Sequence, residues 1–393
     1  MKVLILHNHY RERGGEDEVV CAEKKMLEHY GHDTALFSSS NDEIQHYSFI
    51  QKSRFLLQES VWSSRYYKQV LELIVREKPD LAHIHNTFYL LSPSVYQACH
   101  EMNLPVIQTL HNYRFLCPIG TFYRDGKVCE ECLDVGRSAA VKHKCWQDSY
   151  LASWALTRII DRFEEKKIFF DYVTKAVALS EFCKKKYVEA GFPEDKITVK
   201  PNFADIPSVS DVRKERHVVF VGRLAEYKGI STLIHAFKMN PGIQLRMVGD
   251  GPMYQEIKKE TRNISNIQLL GRLPYEQTLG ELAKAAFLIF PSSCYETFGK
   301  AVVDAFGCGT PVVVSDGGAA RELVEDGRTG LIFRTDDVNE LSDKIAWMDR
   351  HRDRMKEMGA NARKVYEDKY TQERNYQQLM KVYQEALAES KKG

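Results

Sequence analysis

Long apolar runs are missing from the 393-residue sequence, and its formal net charge is only +1. The N-terminal apolar run, residues 3–6, is much shorter than a signal-peptide core or a membrane span. A net charge near zero gives no general attraction to nucleic acid. The nine cysteines are odd in number and scattered, which suits a reducing compartment better than a disulfide framework. We therefore expect a cytoplasmic protein without a nucleic-acid partner.

A Gly-x-Gly-x-x-Gly sequence is also missing after the first apolar run, which disfavours a dinucleotide-dependent oxidoreductase. The sequence instead alternates short β-branched runs with longer segments of helical period, the pattern of parallel sheets built from strand-helix-strand units. The predicted strands are residues 3–6, 34–37, 81–84, 106–110, 176–179, 218–221, 245–248, 267–270, 287–290, 312–314 and 331–333. The predicted fold class is α/β, with two doubly wound Rossmann-like domains facing across a deep cleft.

The length predicts two domains. We expect an N-terminal domain at residues 1–200 and a C-terminal domain at residues 215–370, with a linker near residues 200–215. A cysteine-rich insertion lies near residues 117–145 of the first domain. Residues 371–393 form an amphipathic helix without a strand partner, which can cross back to the first domain.

Charged residues and glycines follow the strands of the second predicted domain. Arg223 and Lys228 are five residues apart on a strand-to-helix loop, where both cations can reach one diphosphate. Two solvated surface cations are the alternative. Gly249 lies in a tight turn after the next strand, where the backbone can approach a ligand closely or simply reverse direction.

The stretch from Tyr295 to Asp304 follows the strand at residues 287–290. A helix that begins near Gly299 would offer its first amides as an anion site, with Glu296 on the loop before it. The two carboxylates, Glu296 and Asp304, could then bind sugar and ribose hydroxyls. Alternatively, Glu296 caps the helix and Asp304 is solvated.

This stretch, Glu296-Thr-Phe-Gly-(x)4-Asp304, resembles the Glu-(x)7-Glu signature of retaining glycosyltransferases of family 4 (glycosyl transferases group 1), which have the GT-B fold. Further motifs agree in the family's order: Gly222-Arg-Leu with Lys228-Gly, Gly249-Asp-Gly-Pro, and the glycines of residues 309–330. The resemblance covers nearly the whole chain and is densest at residues 218–333. One position departs, because Asp304 stands where the family usually has the longer Glu.

The resemblance implies that Arg223 and Lys228 bind the diphosphate and that Glu296 binds the donor sugar. Gly14 and Gly15 look like the family's glycine loop, and His111 stands where many members place a histidine beside the donor. The implied catalytic residues are Glu296, His111, Lys228 and Arg223. The implied donor-binding residues are Gly14, Gly15, Arg223, Lys228, Gly249, Glu296, Phe298, Gly299, Lys300 and Asp304.

The function that follows from the resemblance is retaining transfer of a sugar from a UDP- or GDP-linked donor to a glycan or lipid-linked acceptor, in bacterial polysaccharide or glycan synthesis. No two aspartates are two residues apart, so the Asp-x-Asp motif of metal-dependent sugar transferases is missing and we expect metal-independent catalysis without a cofactor. A sugar-nucleotide epimerase of the same fold and a non-catalytic sugar-nucleotide-binding partner are the alternatives.

Four cysteines, Cys117, Cys129, Cys132 and Cys145, fall within 29 residues. The two-residue gap between Cys129 and Cys132 lets both thiolates face one structural zinc ion, with His143 as a substitute ligand. Buried reduced thiols, a redox pair and disulfides are the alternatives.

Four histidines, His7, His9, His83 and His85, cluster at strand ends. In sequence no carboxylate completes a metal triad with them, so we interpret them as histidines of the core or the cleft.

Two segments, residues 52–68 and 158–186, mix cations with aromatic and apolar residues. Such helices can lie on an anionic membrane, which would place the protein peripherally on its inner face. Solvated faces of ordinary core helices are the alternative.

Overall fold

The computed structural model describes residues 1–11, 14–206 and 212–390. It divides into two compact units: unit 1 contains Met1–Gly120, Glu130–Pro201 and Tyr376–Gly393, and unit 2 contains Thr121–Cys129 and Asn202–Asn375. Parts of three predicted segments lie outside the described residues. They are residues 12–13 before the glycine pair, 207–211 of the linker and 391–393 of the last helix.

The strands are β1 (Lys2–His9), β2 (Asp33–Ser40), β3 (Leu81–Asn86), β4 (Val106–Leu110), β5 (Tyr123–Arg124), β6 (Lys127–Val128), β7 (Lys175–Ala178), β8 (Ile197–Val199), β9 (His217–Val221), β10 (Gln244–Val248), β11 (Ile267–Gly271), β12 (Phe287–Phe290), β13 (Val312–Ser315) and β14 (Gly330–Phe333).

The α-helices are α1 (Gly15–His29), α2 (Phe49–Arg54), α3 (Ser64–Glu77), α4 (Ser94–Glu101), α5 (Glu131–Asp134), α6 (Ser138–Lys142), α7 (Tyr150–Glu165), α8 (Glu181–Glu189), α9 (Ile230–Met239), α10 (Tyr254–Glu260), α11 (Tyr275–Lys284), α12 (Lys300–Gly307), α13 (Ala320–Leu323), α14 (Val338–Arg350), α15 (Arg352–Lys369) and α16 (Gln372–Ser390). Among the described residues, none of these helices combines the length and the apolar composition needed to cross a bilayer.

Unit 1 is built on a six-stranded sheet in the order β2-β1-β3-β4-β7-β8. All of its strand pairs are parallel. The central strands β3, β4 and β7 are buried along their whole length. Polar residues such as His83 and Gln108 are buried there together with the apolar ones. The strand order reverses between β1 and β3.

The last helix, α16, contributes its residues from Tyr376 onward to unit 1. The ring of Tyr376 stacks on Tyr30 with centroids 3.8 Å apart. Farther along, the Tyr383 hydroxyl lies 2.7 Å from Nδ1 of the buried His83 on β3. These contacts make the end of the chain part of the unit formed by its beginning.

Unit 2 contains a second six-stranded parallel sheet, in the order β11-β10-β9-β12-β13-β14. Its core is a cluster of apolar side chains from these strands together with α9 and α14. Here the strand order reverses between β9 and β12.

Each of the eleven strands expected from the sequence overlaps an observed strand, and the α/β prediction is confirmed. Sequence reasoning missed β5, β6 and β8. The first two are two residues each, and β8 has only three residues, of which Ile197 alone is fully buried.

Candidate active site

The reversal of strand order in unit 2 marks where a ligand is expected. In open parallel sheets, ligands bind beyond the carboxyl ends of the strands at such a point. The loop after β9, residues 222–229, and the loop after β12, residues 291–299, both start at this edge. Most of the predicted donor-binding residues of unit 2 lie on these two loops or at the start of α12.

Glycines let the loops of this edge approach each other closely. Gly249 has φ +147°, and a Cβ atom there would overlap the carbonyl oxygen of Gly222. The Gly222 amide donates to the Val248 carbonyl at 3.0 Å, and the Leu224 amide donates to the Asp250 carbonyl at 2.9 Å. Gly249 is therefore required by loop packing, whatever it contributes to ligand binding.

An ion pair joins the two loops. Lys228 Nζ lies 2.5 Å from Glu296 Oε1, and each side chain is only 18% exposed. The same carboxylate oxygen accepts a hydrogen bond from Ser292 Oγ at 2.6 Å. Burial alone would lower the pKa of Lys228, but the Glu296 carboxylate outweighs it and holds the pKa above its usual value. Lys228 is therefore a fixed cation at this edge. Arg223 is exposed on the same loop.

The helix predicted near Gly299 begins at Lys300, with Gly299 as its N-terminal cap. Gly299 has φ +152°, a conformation that favours glycine. Phe298 is 4% exposed and its ring lies 6.2 Å from that of Tyr370. A buried anchor and a permissive glycine thus fix the point where the amides of α12 start, and such amides can bind an anion.

Asp304 lies one turn inside α12 and is buried. Its Oδ1 accepts hydrogen bonds from Lys300 Nζ at 2.5 Å and from the Tyr275 hydroxyl at 2.9 Å. The sequence prediction did not foresee Tyr275, since it lies on α11, outside the signature. In this structure the Asp304 carboxylate therefore accepts hydrogen bonds from protein groups and is not solvated.

The hairpin of β5 and β6 belongs to unit 2, although the sequence predicted the whole cysteine-rich insertion as part of the first domain. The ring of Tyr123 lies 6.3 Å from that of Tyr227, next to Lys228. The ring of Phe122 lies 6.0 Å from that of Tyr295, next to Glu296. Residues 121–129 therefore pack beside both residues of the ion pair.

In unit 1, Gly14 and Gly15 are exposed at the start of α1. His111 follows β4, and its Nε2 lies 2.9 Å from His85 Nδ1. Burial, followed by the charges of the neighbouring histidines and Lys200, holds the pKa of His111 well below its usual value. His111 is therefore a neutral imidazole at pH 7, able to hydrogen-bond but not to serve as a cation.

The four cysteines of the predicted zinc site are divided between the units. Cys129 belongs to unit 2, and Cys117, Cys132 and Cys145 belong to unit 1. Over residues 1–11, 14–206 and 212–390, none of them takes part in a group of three or more metal-type ligands. His143 lies 3.2 Å from the Glu131 carboxylate instead. The zinc site stays a prediction.

The expectation that no carboxylate completes the histidine cluster is wrong. The structure brings Asp17, from α1, to His7 and His9, and it brings Glu23, also from α1, to His83 and His85. In each group the candidate ligand atoms lie within 4.8 Å of one another. The spacing did not reveal them because the carboxylates arrive from the helix that follows β1, not from the strands.

Comparisons with known proteins agree with this architecture. Residues 3–207 match the model of Glycosyltransferase Family 4, and residues 203–365 match that of Glycosyl transferases group 1. The solved structure of Anabaena HepE in complex with UDP superposes with a TM-score of 0.68 at 18% identity, covering 98% of this chain and 100% of that one. Sucrose-phosphate synthase of Thermosynechococcus elongatus gives a TM-score of 0.72 at 16% identity, covering 98% and 99%. The fold is GT-B, with two Rossmann-like domains.

Among curated proteins, an uncharacterized glycosyltransferase of Methanocaldococcus jannaschii is 32% identical over 42% of this chain and 47% of its own length. Phosphatidyl-myo-inositol mannosyltransferase of Mycobacterium leprae is 28% identical over 53% and 58%. The chain thus spans about half the length of the curated relatives it matches. Since the first family model alone matches more than half of the chain, the protein belongs to glycosyltransferase family 4.

Proposed function

We propose that the protein is a retaining, metal-independent glycosyltransferase that moves a sugar from a nucleotide diphosphate donor to a glycan or lipid-linked acceptor in bacterial polysaccharide or glycan synthesis. The observation that carries the proposal is the Lys228–Glu296 ion pair at the reversal of strand order in unit 2. It joins a cation and an anion on the two loops that start at this edge of the sheet.

The cation side of this site suits a diphosphate leaving group. Lys228 is held in its charged form, Arg223 lies on the same loop, and the amides of α12 add partial positive charge. These groups neutralise the phosphate charge that grows as the sugar departs, so no divalent ion is needed for that step. We expect added magnesium to leave the turnover of the chelator-treated protein unchanged.

The anion side suits the donor sugar. We assign Glu296 to the sugar hydroxyls, Gly249 and the backbone of Phe298, Gly299 and Lys300 to the phosphate and Asp304 to the ribose. In unit 1, His111 contributes a neutral hydrogen bond and Gly14 and Gly15 allow close approach of sugar or phosphate. The UDP complex of Anabaena HepE supports a nucleotide donor.

Two observations support a lipid-linked acceptor. The name of the Mycobacterium leprae relative, a phosphatidyl-myo-inositol mannosyltransferase, supports a lipid-linked acceptor. Unit 1 has both basic and exposed apolar residues along α7 and its C-terminal end, a composition that fits a membrane surface: Arg162 and Lys166 lie 5.1 and 5.5 Å from the half-buried Trp62 ring, and Leu151 is 60% exposed. Flotation with anionic but not neutral liposomes would support this contact, and its absence from both would refute it.

The deciding experiment is a panel of nucleotide sugars assayed for diphosphate release, with the anomeric configuration of the product determined by NMR. We expect one donor to be turned over with retention, and Glu296→Gln to lose most of that turnover while remaining folded. An inverted product would refute retention. Interconversion of donors without an acceptor would favour the epimerase, and donor binding without turnover would favour a non-catalytic binding partner. The cytoplasmic location stays a prediction.

A further inference from the structure

A compact group of metal-type ligands lies in unit 1, beside Gly14 but made of residues that have no assigned part in donor binding. His7 and His9 are on β1, and Asp17 is in the first turn of α1. His7 Nε2 lies 2.9 Å and His9 Nδ1 lies 2.6 Å from the same oxygen, Asp17 Oδ1. One carboxylate oxygen therefore receives two imidazole nitrogens.

The separations fit the coordination shell of a transition-metal ion. Metal–nitrogen and metal–oxygen bonds of about 2.0–2.2 Å place neighbouring ligand atoms of a tetrahedral ion roughly 3.4 Å apart. The two distances to Asp17 Oδ1 would lengthen by roughly 0.5 and 0.8 Å to meet this value. Two histidines and one carboxylate on one side of an ion also form a recognised ligand set with open positions.

The charges favour a cation as well. His7 and Asp17 are both buried. The Asp17 carboxylate supplies negative charge, and its two oxygens face His7, His9 and the Gly14 amide. Glu16 and Glu18, in the same turn of α1, carry no positive charge that would repel a cation. A buried carboxylate beside two imidazoles is a favourable place for a divalent ion.

The proposed ligands are oriented by a further hydrogen bond, and the group is accessible from solvent. The second oxygen of the carboxylate, Asp17 Oδ2, accepts a hydrogen bond from the Gly14 amide at 2.9 Å, which orients it toward the histidines. The His7 side chain is fully buried, whereas that of His9 is 22% exposed. An ion can therefore enter at His9 and complete its shell with water.

The second group of candidate ligands, Glu23, His83 and His85, is less suited to a metal ion. There, Lys200 Nζ already pairs with Glu23 Oε1 at 2.5 Å. Both ring nitrogens of His83 also have partners, the Tyr383 and Thr109 hydroxyls, each at 2.7 Å. A fixed buried cation and occupied nitrogens oppose a metal ion at this group.

We propose that His7, His9 and Asp17 bind one divalent transition-metal ion of the zinc or cobalt class. Each imidazole binds through the nitrogen that faces Asp17, and its proton moves to the other ring nitrogen, so no proton is released by the histidines. The ion ties the end of β1 to the first turn of α1, next to the exposed glycine pair. The site has no assigned part in the proposed sugar transfer, and it stands whether or not that transfer does.

The test is titration of the chelator-treated full chain with Co²⁺ alone, followed by visible absorption. We expect one equivalent to bind, without the intense near-ultraviolet band of cobalt–thiolate ligation. His9→Ala should weaken binding by more than the roughly 10- to 100-fold loss that follows removal of an outer-shell partner. His235→Ala is the matched control, because within the described part of the chain its exposed ring hydrogen-bonds to Ser231 of its own helix.

Two further variants separate the alternatives. Asp17→Asn should also weaken binding, with circular dichroism confirming that α1 remains folded. The double variant Cys129→Ser with Cys132→Ser should leave cobalt binding unchanged. Failure to bind cobalt, unchanged affinity in His9→Ala, or loss of binding in the cysteine double variant would each overturn the proposal.

Discussion

Lys228 and Glu296 form an ion pair in which each side chain is only 18% exposed. The pair is therefore shielded from water more than an ordinary surface pair is. We expect Lys228→Ala to lower turnover roughly 100- to 1,000-fold, the usual effect of removing one group that stabilises developing charge. It should also lower the free energy of unfolding by about 1–3 kcal/mol, because Glu296 loses its cation. Steady-state kinetics and urea unfolding measure the two effects.

Lys238→Ala provides the control for that prediction. Lys238 pairs with Glu260 at 2.6 Å in the same unit, but both side chains are 38% exposed. Surface pairs contribute about 0–1 kcal/mol, and this one lies away from the strand-order reversal. Turnover should stay at the wild-type level. Equal losses in the two variants would mean that the Lys228 effect is not specific to the site.

Glu16 in unit 1 predicts a pH dependence of stability. Burial, and then the charge of Asp17, raise the pKa of its carboxyl from 4.5 to about 8. Between these values the folded state holds a proton that the unfolded state has released, so the free energy of unfolding falls as pH rises from about 4.5 to 8. Glu16→Gln removes this fall, so the variant should gain stability over wild type at pH 9 but not at pH 4.

Glu18→Gln is the matched control because Glu18 is exposed in the same turn of α1. Above about pH 8, where Glu16 is ionised in the folded state, both substitutions remove a negative charge from the helix start and alter the interaction with the helix dipole in the same direction. Thermal unfolding across pH 4–9 should show a pH-dependent difference from wild type for Glu16→Gln only. A parallel difference in both variants would assign the effect to the dipole and not to burial.

At the scale of the element, Gly229 shows how closely the loop after β9 approaches β12. It has φ +67°, and a Cβ atom there would overlap the carbonyl oxygen of Pro291. Gly229→Ala should therefore lower the free energy of unfolding by more than about 1 kcal/mol. In contrast, Gly280→Ala on α11 meets no atom within 4 Å and should stabilise by about 0.5–1 kcal/mol. Urea unfolding of both variants tests the pair, and a stable Gly229→Ala would contradict the described loop.

The elements differ in how far the sequence predicts them. Strand β12 can be predicted from the sequence because a parallel strand buried on both faces is typically a continuous apolar run. Strand β4 departs from this pattern, since Gln108 and Thr109 are buried within it. The start of α12 can be predicted from the sequence because Gly299 and the apolar period after it indicate a helix. Side-chain contacts between different elements cannot be predicted from the sequence in this way, because they depend on how strands and helices are arranged in space. Tyr275 beside Asp304, and Asp17 beside His7, are contacts of that kind.

At the scale of the whole molecule, unit 1 depends on α16 although that helix lies at the far end of the sequence. Tyr383→Phe removes the hydroxyl beside His83 Nδ1 and leaves a buried nitrogen without its partner. We expect a loss of about 1–3 kcal/mol. Hydrogen exchange should become faster in β1 and β3. Tyr376→Phe keeps its ring stack on Tyr30 and loses only a contact to the partly exposed His32, so its effect should be smaller.

Neither unit is a continuous stretch of chain. Residues 121–129 of unit 2 are synthesised before the second half of unit 1, and the α16 residues of unit 1 are synthesised after all of unit 2. During translation, the hairpin with Phe122 and Tyr123 must wait for the partners that bury it, Tyr227 and Tyr295. The His83 nitrogen must likewise wait for Tyr383. The first unit to begin folding is thus the last to finish, and nascent chains stopped before residue 376 should engage chaperones longer than complete ones.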